Sequence, residues 1–173
     1  MCIRDRVNTF SVFDYSGNVR NAILRIKQKR IEEAFDYFAN CMFKTITAIA
    51  PDLEFDSIVA VPMFRDDLLK RGYNQAEELA KRLSVLLMTP FYPNILLKNY
   101  AHVQHKTANY KERVSAIKNL YSTSPTANVK GKTILLVDDV VTTGATINIC
   151  REQLLMMGAA NVYAVTIAAT KRK

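Results

Sequence analysis

The sequence contains no tryptophan, and among its 173 residues there are only three cysteines, two histidines, five glycines and five prolines. Cys2, Cys41 and Cys150 are odd in number and far apart, which excludes a disulfide framework and a four-thiolate metal site within the chain. So little glycine and proline excludes collagen-like and low-complexity chains. No apolar run approaches the ~18–20 residues of a membrane-spanning helix, and the start lacks the apolar core of a signal peptide. A cytoplasmic protein with no membrane span is therefore expected.

What remains is a globular composition, 49% hydrophobic and 23% charged. A chain of this length suits one compact domain that buries roughly two-thirds of its unfolded surface. Lys and Arg number 24 against 16 for Asp and Glu, a net charge of +8. That excess fits a partner rich in phosphate, either nucleic acid or a small polyphosphate metabolite, and fits equally a surface that merely leans positive.

Hydrophobic spacing divides the chain. After the turn Tyr15-Ser16-Gly17, Val19, Ala22, Ile23 and Ile26 recur at helical spacing. Lys27-Gln28-Lys29-Arg30 interrupts the stripe, and Ile31, Ala34, Phe35, Phe38, Met42 and Ile46 resume it, so two helices or one bent helix cover 17–49. Ile58–Val61 reads as a buried strand closed by Pro62. Asn74 caps a helix whose buried stripe is Ala76, Leu79, Ala80, Leu83 and Leu87, with Glu77 as its capping partner. Another strand is expected within Tyr92–Leu97, and 98–118 turns polar and basic as a loop would. Thr133–Val137 is the strongest strand, Gly144–Met157 is helical, and Val162–Ala168 is a last strand. Strands alternating with helices imply crossovers and a largely parallel sheet.

The run Thr133-Ile134-Leu135-Leu136-Val137-Asp138-Asp139-Val140-Val141-Thr142-Thr143-Gly144-Ala145-Thr146 holds the chemistry. An apolar strand brings two carboxylates to its carboxyl end, where ligands bind in open α/β sheets. A turn of small hydroxylated residues around Gly144 then opens a helix. Its first backbone N–H groups have no intrahelical partner and form the positive end of the dipole, so a phosphate fits there. The run is neither a Walker loop nor Gly-x-Gly-x-x-Gly.

This run resembles the 5-phosphoribosyl 1-diphosphate (PRPP) motif of type I phosphoribosyltransferases. Ala60-Val61-Pro62, Lys70-Arg71-Gly72-Tyr73-Asn74-Gln75, Glu78-Leu79-Ala80, and Tyr15-x-Gly17 with Arg20, Ile23 and Lys27 extend the likeness to the competence-protein ComF branch over residues 13–168. The resemblance implies an α/β fold with a largely parallel central sheet flanked by helices and a mobile hood loop. It divides the chain into an N-terminal extension or remnant (1–14), a phosphoribosyltransferase-like domain (15–170) and a basic tail (171–173).

By the same resemblance Asp138 and Asp139 hold the ribose hydroxyls, and Thr142, Thr143, Gly144, Ala145 and Thr146 cradle the 5-phosphate. Arg65, Lys70 and Arg71 are the cations available to pyrophosphate. Mg²⁺ is implied as a substrate-bound ion with no direct protein ligand. The hood's basic residue, glutamine and arginine correspond to Lys98, either Gln104 or His105, and Arg113, while Ser115 or Ala116 stands where an asparagine is typical. His102 and His105 are acid–base candidates, and Arg113 and His105 are the candidate catalytic residues. Only Cys2 lies where related chains have a four-cysteine ribbon, so no zinc is expected. Thr142 stands where purine-salvage relatives place an aspartate. The implied function is binding of PRPP or a ribonucleotide 5-phosphate, with phosphoribosyl transfer to a nitrogen nucleophile. The alternative is a non-catalytic nucleotide-binding or single-stranded DNA-uptake accessory protein. Single-stranded DNA, competence-machinery proteins and a second copy of the chain are the candidate partners.

Overall fold

The computed structural model describes residues 8–99, 120–124 and 128–171. Its elements run β1 (Thr9–Asp14), α1 (Gly17–Gln28), α2 (Glu32–Ile49), β2 (Ser57–Ala60), α3 (Arg65–Arg71), α4 (Gln75–Leu86), β3 (Leu96–Lys98), β4 (Tyr121–Thr123), β5 (Thr133–Val141), α5 (Ala145–Met156) and β6 (Asn161–Ala169). Four strands make one sheet in the order β1-β6-β5-β2, with every neighbouring pair parallel. β3 and β4 form a separate antiparallel pair. The stretch 100–119 joins them in sequence; Gln104, His102, His105, Arg113, Ser115 and Ala116 lie in it, outside the described residues.

β5 is central and covered on both sides, which is why its first part is an unbroken apolar run rather than an alternating one. Ile134, Leu135, Leu136 and Val137 are all fully buried. In α2, Phe35, Phe38, Ala39, Met42 and Ile46 fall on one stripe, and in α4 so do Ala76, Leu79, Ala80 and Leu83. These stripes pack α2 and α4 against each other and onto the sheet. The basic interruption at 27–30 resolves into two separate helices, since Lys29 leaves the helical region to cap α1.

The chain start departs from expectation. Thr9–Asp14 is no extension; it forms the outer strand of the main sheet, parallel to β6. Its buried Ser11 is satisfied within the sheet: the Ser11 and Thr166 hydroxyls share a hydrogen bond of 2.8 Å. Phe10 stacks on Tyr163 with ring centres 6.3 Å apart. The strand expected within Tyr92–Leu97 is also shifted. Phe91 makes an isolated bridge to Ile58, and regular pairing starts only at Leu96. Between β2 and α4 the chain inserts α3, closed by Gly72 at φ +81°. Asn74 caps α4 as expected, its side chain accepting from the Ala76 N–H at 3.0 Å while its amide donates to the Val61 carbonyl. That second bond ties the start of α4 to the end of β2. Among the described residues, no helix is long and apolar enough to cross a membrane.

Candidate functional site

β5 ends in Asp138-Asp139-Val140-Val141. Successive strand residues point to opposite faces, so the two carboxylates diverge. Asp138 lines a shallow cup of about 30 Å³ with residues 140–147. Asp139 is 8% exposed and faces α1, where the Lys27 ammonium lies 2.8 Å from its Oδ2. Both acids stand at the carboxyl end of the sheet, but on two sides of one strand rather than side by side.

The cup is built by the corner between β5 and α5. Gly144 takes φ +87° at the helix start and, being glycine, brings no side chain to cap it. The backbone N–H groups of the first turn therefore line the cup together with the dipole's positive end. Thr143 Oγ1 accepts from the Ala145 N–H at 3.3 Å, which tightens the turn. From behind, Thr170 pins the corner: its N–H reaches the Val141 carbonyl and its hydroxyl the Thr142 carbonyl, both at 3.0 Å. A left-handed backbone costs a branched residue about 1–2 kcal/mol. Gly144→Val should therefore lower the melting temperature by a few degrees and weaken inorganic phosphate binding at least tenfold. Thermal melting and calorimetry check both effects; unchanged phosphate affinity would show that the turn does not form the anion cradle.

Burial and the neighbouring Asp139 charge push Asp138 up to about 8, against the opposing pull of the Asp139 N–H bond, Lys27 and Lys98. The acid that lines the cup is thereby shifted toward its neutral form. Beneath it, burial and Asp138 push the Cys150 thiol up as well, leaving it an inert core side chain.

A second cavity, about 370 Å³, opens where β2 ends, one strand over from the cup. Arg65, Asn74, Glu77, Asn94, Lys98 and Asn99 supply its polar lining, and Met63 and Phe91 part of its apolar lining. The three cations expected for pyrophosphate are thereby separated. Arg65 lines this cavity, whereas Lys70 and Arg71 do not; Arg71 Nη1 donates to Gln75 Oε1 at 2.6 Å. Lys98 sits over the Phe64 ring at 4.3 Å and the Tyr121 ring at 5.2 Å, so it joins the β3–β4 pair to the loop after β2. His105 and Arg113 lie outside the described residues.

Sequence reasoning missed two participants. Lys27 read as part of a basic break between helices and of the run Tyr15–Lys27 that carries the family likeness, and Tyr73 only as part of the similar run 70–75, neither with a structural role. Tyr73 is instead buried, and its hydroxyl donates to the Ile26 carbonyl at 2.6 Å, clamping the end of α1 beside Asp139. The available signal was periodicity: Lys27 follows the two buried anchors Ile23 and Ile26, so its position on α1 is fixed by the core.

Residues 68–173 match the family described as the phosphoribosyl transferase domain. Competence protein ComFC of Bacillus subtilis is 28% identical over 91% of this chain, and competence protein F of Haemophilus influenzae 32% identical over 62% of it. The matched region spans 62% and 47% of those two relatives' own lengths. Among solved structures, the B. subtilis glutamine PRPP amidotransferase complexed with ADP and GMP superposes with a TM-score of 0.54 at 19% identity, covering 77% of this chain and 26% of that one, a likeness of fold. With the parallel sheet, the Asp-Asp strand end and the Thr-Thr-Gly corner in place, the chain belongs to the type I phosphoribosyltransferase family, on its ComF-like branch.

Proposed function

We propose that the corner between β5 and α5 binds the 5-phosphate and ribose of PRPP or of a ribonucleotide, and that the cavity at the end of β2 receives the pyrophosphate. The observation that supports this most is the cup itself: a helix start without an N-cap side chain, a left-handed glycine and an acid at the rim, all supplied by one strand-to-helix turn. Phosphate occupies the amide-lined cup, Asp138 and Asp139 accept from ring hydroxyls, and Arg65 faces the departing pyrophosphate. The oxygen donors at this end of the sheet, Asp138 and Asp139, suit Mg²⁺ held mainly by ligand oxygens and water, a hard cation with few protein ligands. When bound, the ion would neutralise charge on the pyrophosphate.

In phosphoribosyl transfer a nitrogen nucleophile attacks the anomeric carbon as the bond to pyrophosphate breaks. The residues contribute position and charge rather than a covalent step. The test is pyrophosphate release from PRPP and Mg²⁺ with a panel of nucleobases, glutamine and ammonia. Release above the protein-free rate with one acceptor supports transfer; ligand binding with no release leaves a nucleotide-binding protein.

A second reading has its own support. Two of the relatives bear competence names, and the net charge is +8. Under this reading the chain serves DNA uptake and binds single strands through phosphate contacts. Titration with a single-stranded oligonucleotide should then weaken by tenfold or more between about 50 and 200 mM salt. Binding that ignores salt would exclude it.

A further inference from the structure

We propose that a third cavity, at the amino end of β5, takes one nucleotide unit, its base stacked on Tyr92 and its phosphate on Lys132. This goes beyond the reading above and does not depend on what the β5–α5 corner binds.

The cavity measures about 410 Å³, within the ~300–1,000 Å³ of small-ligand sites. It opens where Asn94 and Ile95 lead into β3, where Ser124 and Asn128 follow β4, and where Lys132 precedes β5. Most of β5 lies between Lys132 and Asp138, so at about 3.3 Å per strand residue the two stand roughly 15–20 Å apart. The cavity and the phosphate cup are thus separate sites at opposite ends of one strand.

Its walls are tied to the scaffold. Beside β2, the Ile58 N–H donates to the Pro90 carbonyl at 2.9 Å, and the Tyr92 N–H donates to the Ile58 carbonyl at 3.1 Å. The Ser124 N–H reaches the Ile95 carbonyl at 2.8 Å and closes the base of the β3–β4 pair. Lys132 is held twice: its N–H donates to the Val129 carbonyl at 3.1 Å, and its carbonyl accepts from the Ala160 N–H at 2.9 Å. Tyr92 is nevertheless 44% exposed, an aromatic ring positioned by its backbone rather than by burial. The Lys132 ammonium lies 5.3 Å from the centre of that ring. Groups fixed in this way lose little further freedom when a flat partner arrives.

The lining selects the ligand. An aromatic face stacks on any base, and an ammonium binds phosphate as a point charge. The amides of Asn94 and Asn128 both donate and accept, as the edge of a nucleobase requires. Among the described residues no carboxylate lines this cavity, whereas Glu77 lines the one at the end of β2. A bare phosphate would meet one cation and leave the ring unused. An aliphatic chain would leave the amides and the ammonium unpaired. A free nucleotide and one unit of a single strand present the same base and phosphate, so both belong in the test.

The probes are thymidine 5′-monophosphate, a short oligothymidylate and ribose 5-phosphate, measured by calorimetry. Tyr92→Ala, Tyr92→Phe and Lys132→Gln are each made in wild type and in Gly144→Val, which removes binding at the corner. Thymidylate or its oligomer should still bind Gly144→Val, and Tyr92→Ala should weaken that binding at least fivefold, the loss expected for one stacked base. Tyr92→Phe should stay within about twofold, and Lys132→Gln should weaken both probes. Wild-type affinity for ribose 5-phosphate, which carries no base, should not change with Tyr92→Ala. Equal affinity for monomer and oligomer identifies a free nucleotide as the ligand; an oligomer bound at least tenfold more tightly identifies a single strand. Tyr92→Ala without effect on either thymidine probe overturns the proposal, and so does a Gly144→Val chain that binds neither. Loss of ribose 5-phosphate together with thymidylate in Tyr92→Ala overturns it too, because Tyr92 would then support the fold rather than a base. A wild type that binds thymidylate through Tyr92 but ignores ribose 5-phosphate defeats the corner reading and leaves this site standing.

Discussion

Replacing Asp138 and Asp139 together by asparagine should lower affinity for ribose 5-phosphate and PRPP at least a hundredfold while leaving the fold intact. Both acids stand as acceptors at this end of the sheet, and the ion-paired Asp139 carboxylate makes charge-assisted hydrogen bonds, worth roughly twice neutral ones. The same experiment separates loss of a site from loss of structure, because one of the two changes should stabilise the free protein. Asp138 has its folded-state pKa raised from an ordinary 3.8 to about 8 by burial and by Asp139. For an acid shifted upward, the stability it contributes is fully present below the unfolded value and is lost as pH rises to the folded one. Asp138→Asn alone removes that loss. Its melting temperature should exceed that of wild type, and the gap should widen from pH 5 to about 8. A variant that melts lower at pH 8 would contradict the assignment of a strained acid at the rim.

The largest effect on stability should come from the opposite end of the α1–α2 junction. Glu78 is 3% exposed and joins three cations: Arg30 at 2.8 Å, Lys81 at 2.9 Å and Arg82 at 3.2 Å. Arg82 continues the network to Glu32 and Asp36 on α2 and lies over the Phe35 ring. Removing one partner from a buried ionic cluster leaves uncompensated charge, which costs about 3–5 kcal/mol. Arg30 and Lys81 are half-exposed and solvent screens them, so the low end applies to Glu78→Ala, about 3 kcal/mol. For a chain of this size that is roughly 6–12 °C in melting temperature. Burial pushes the Glu78 carboxyl up, but Lys81, Arg30 and Arg82 outweigh it and hold it below its ordinary value of 4.5. An acid shifted downward contributes stability above its unfolded pKa and loses it as pH falls through the folded one. The difference between wild type and variant should therefore be full at pH 7 and shrink below about pH 4. A difference that stays constant into acid would show that packing, not charge, is what the substitution removes.

Much of this fold is written in local patterns. The buried stripe of α2, the apolar run of β5 and the Asn74 cap are short-range signals, and each appears where its spacing places it. The Thr-Thr-Gly corner was legible for the same reason: one stretch of sequence supplies the strand, the turn and the helix start. β1 was not, because Thr9 and Ser11 look exposed until Thr166, 155 residues away from Ser11, pairs with the serine hydroxyl. The tertiary partners of the run 70–73 were illegible for a related reason. Adjacent residues on a helix end point in different directions, and only the tertiary partners show that Arg71 serves Gln75 and Tyr73 serves α1. The divergence of Asp138 and Asp139 follows from strand alternation. What fills the Asp139 side, Lys27, comes from a helix more than a hundred residues earlier and leaves no trace in the motif.

The account depends on a phosphorylated pentose settling at the turn between β5 and α5. A crystal of the protein soaked with ribose 5-phosphate tests this most directly. Phosphate density within hydrogen-bond reach of the backbone N–H groups of residues 143–147, with ring hydroxyls on Asp138 and Asp139, is the predicted result. A sugar phosphate bound elsewhere, or an empty turn at saturating ligand, would contradict it.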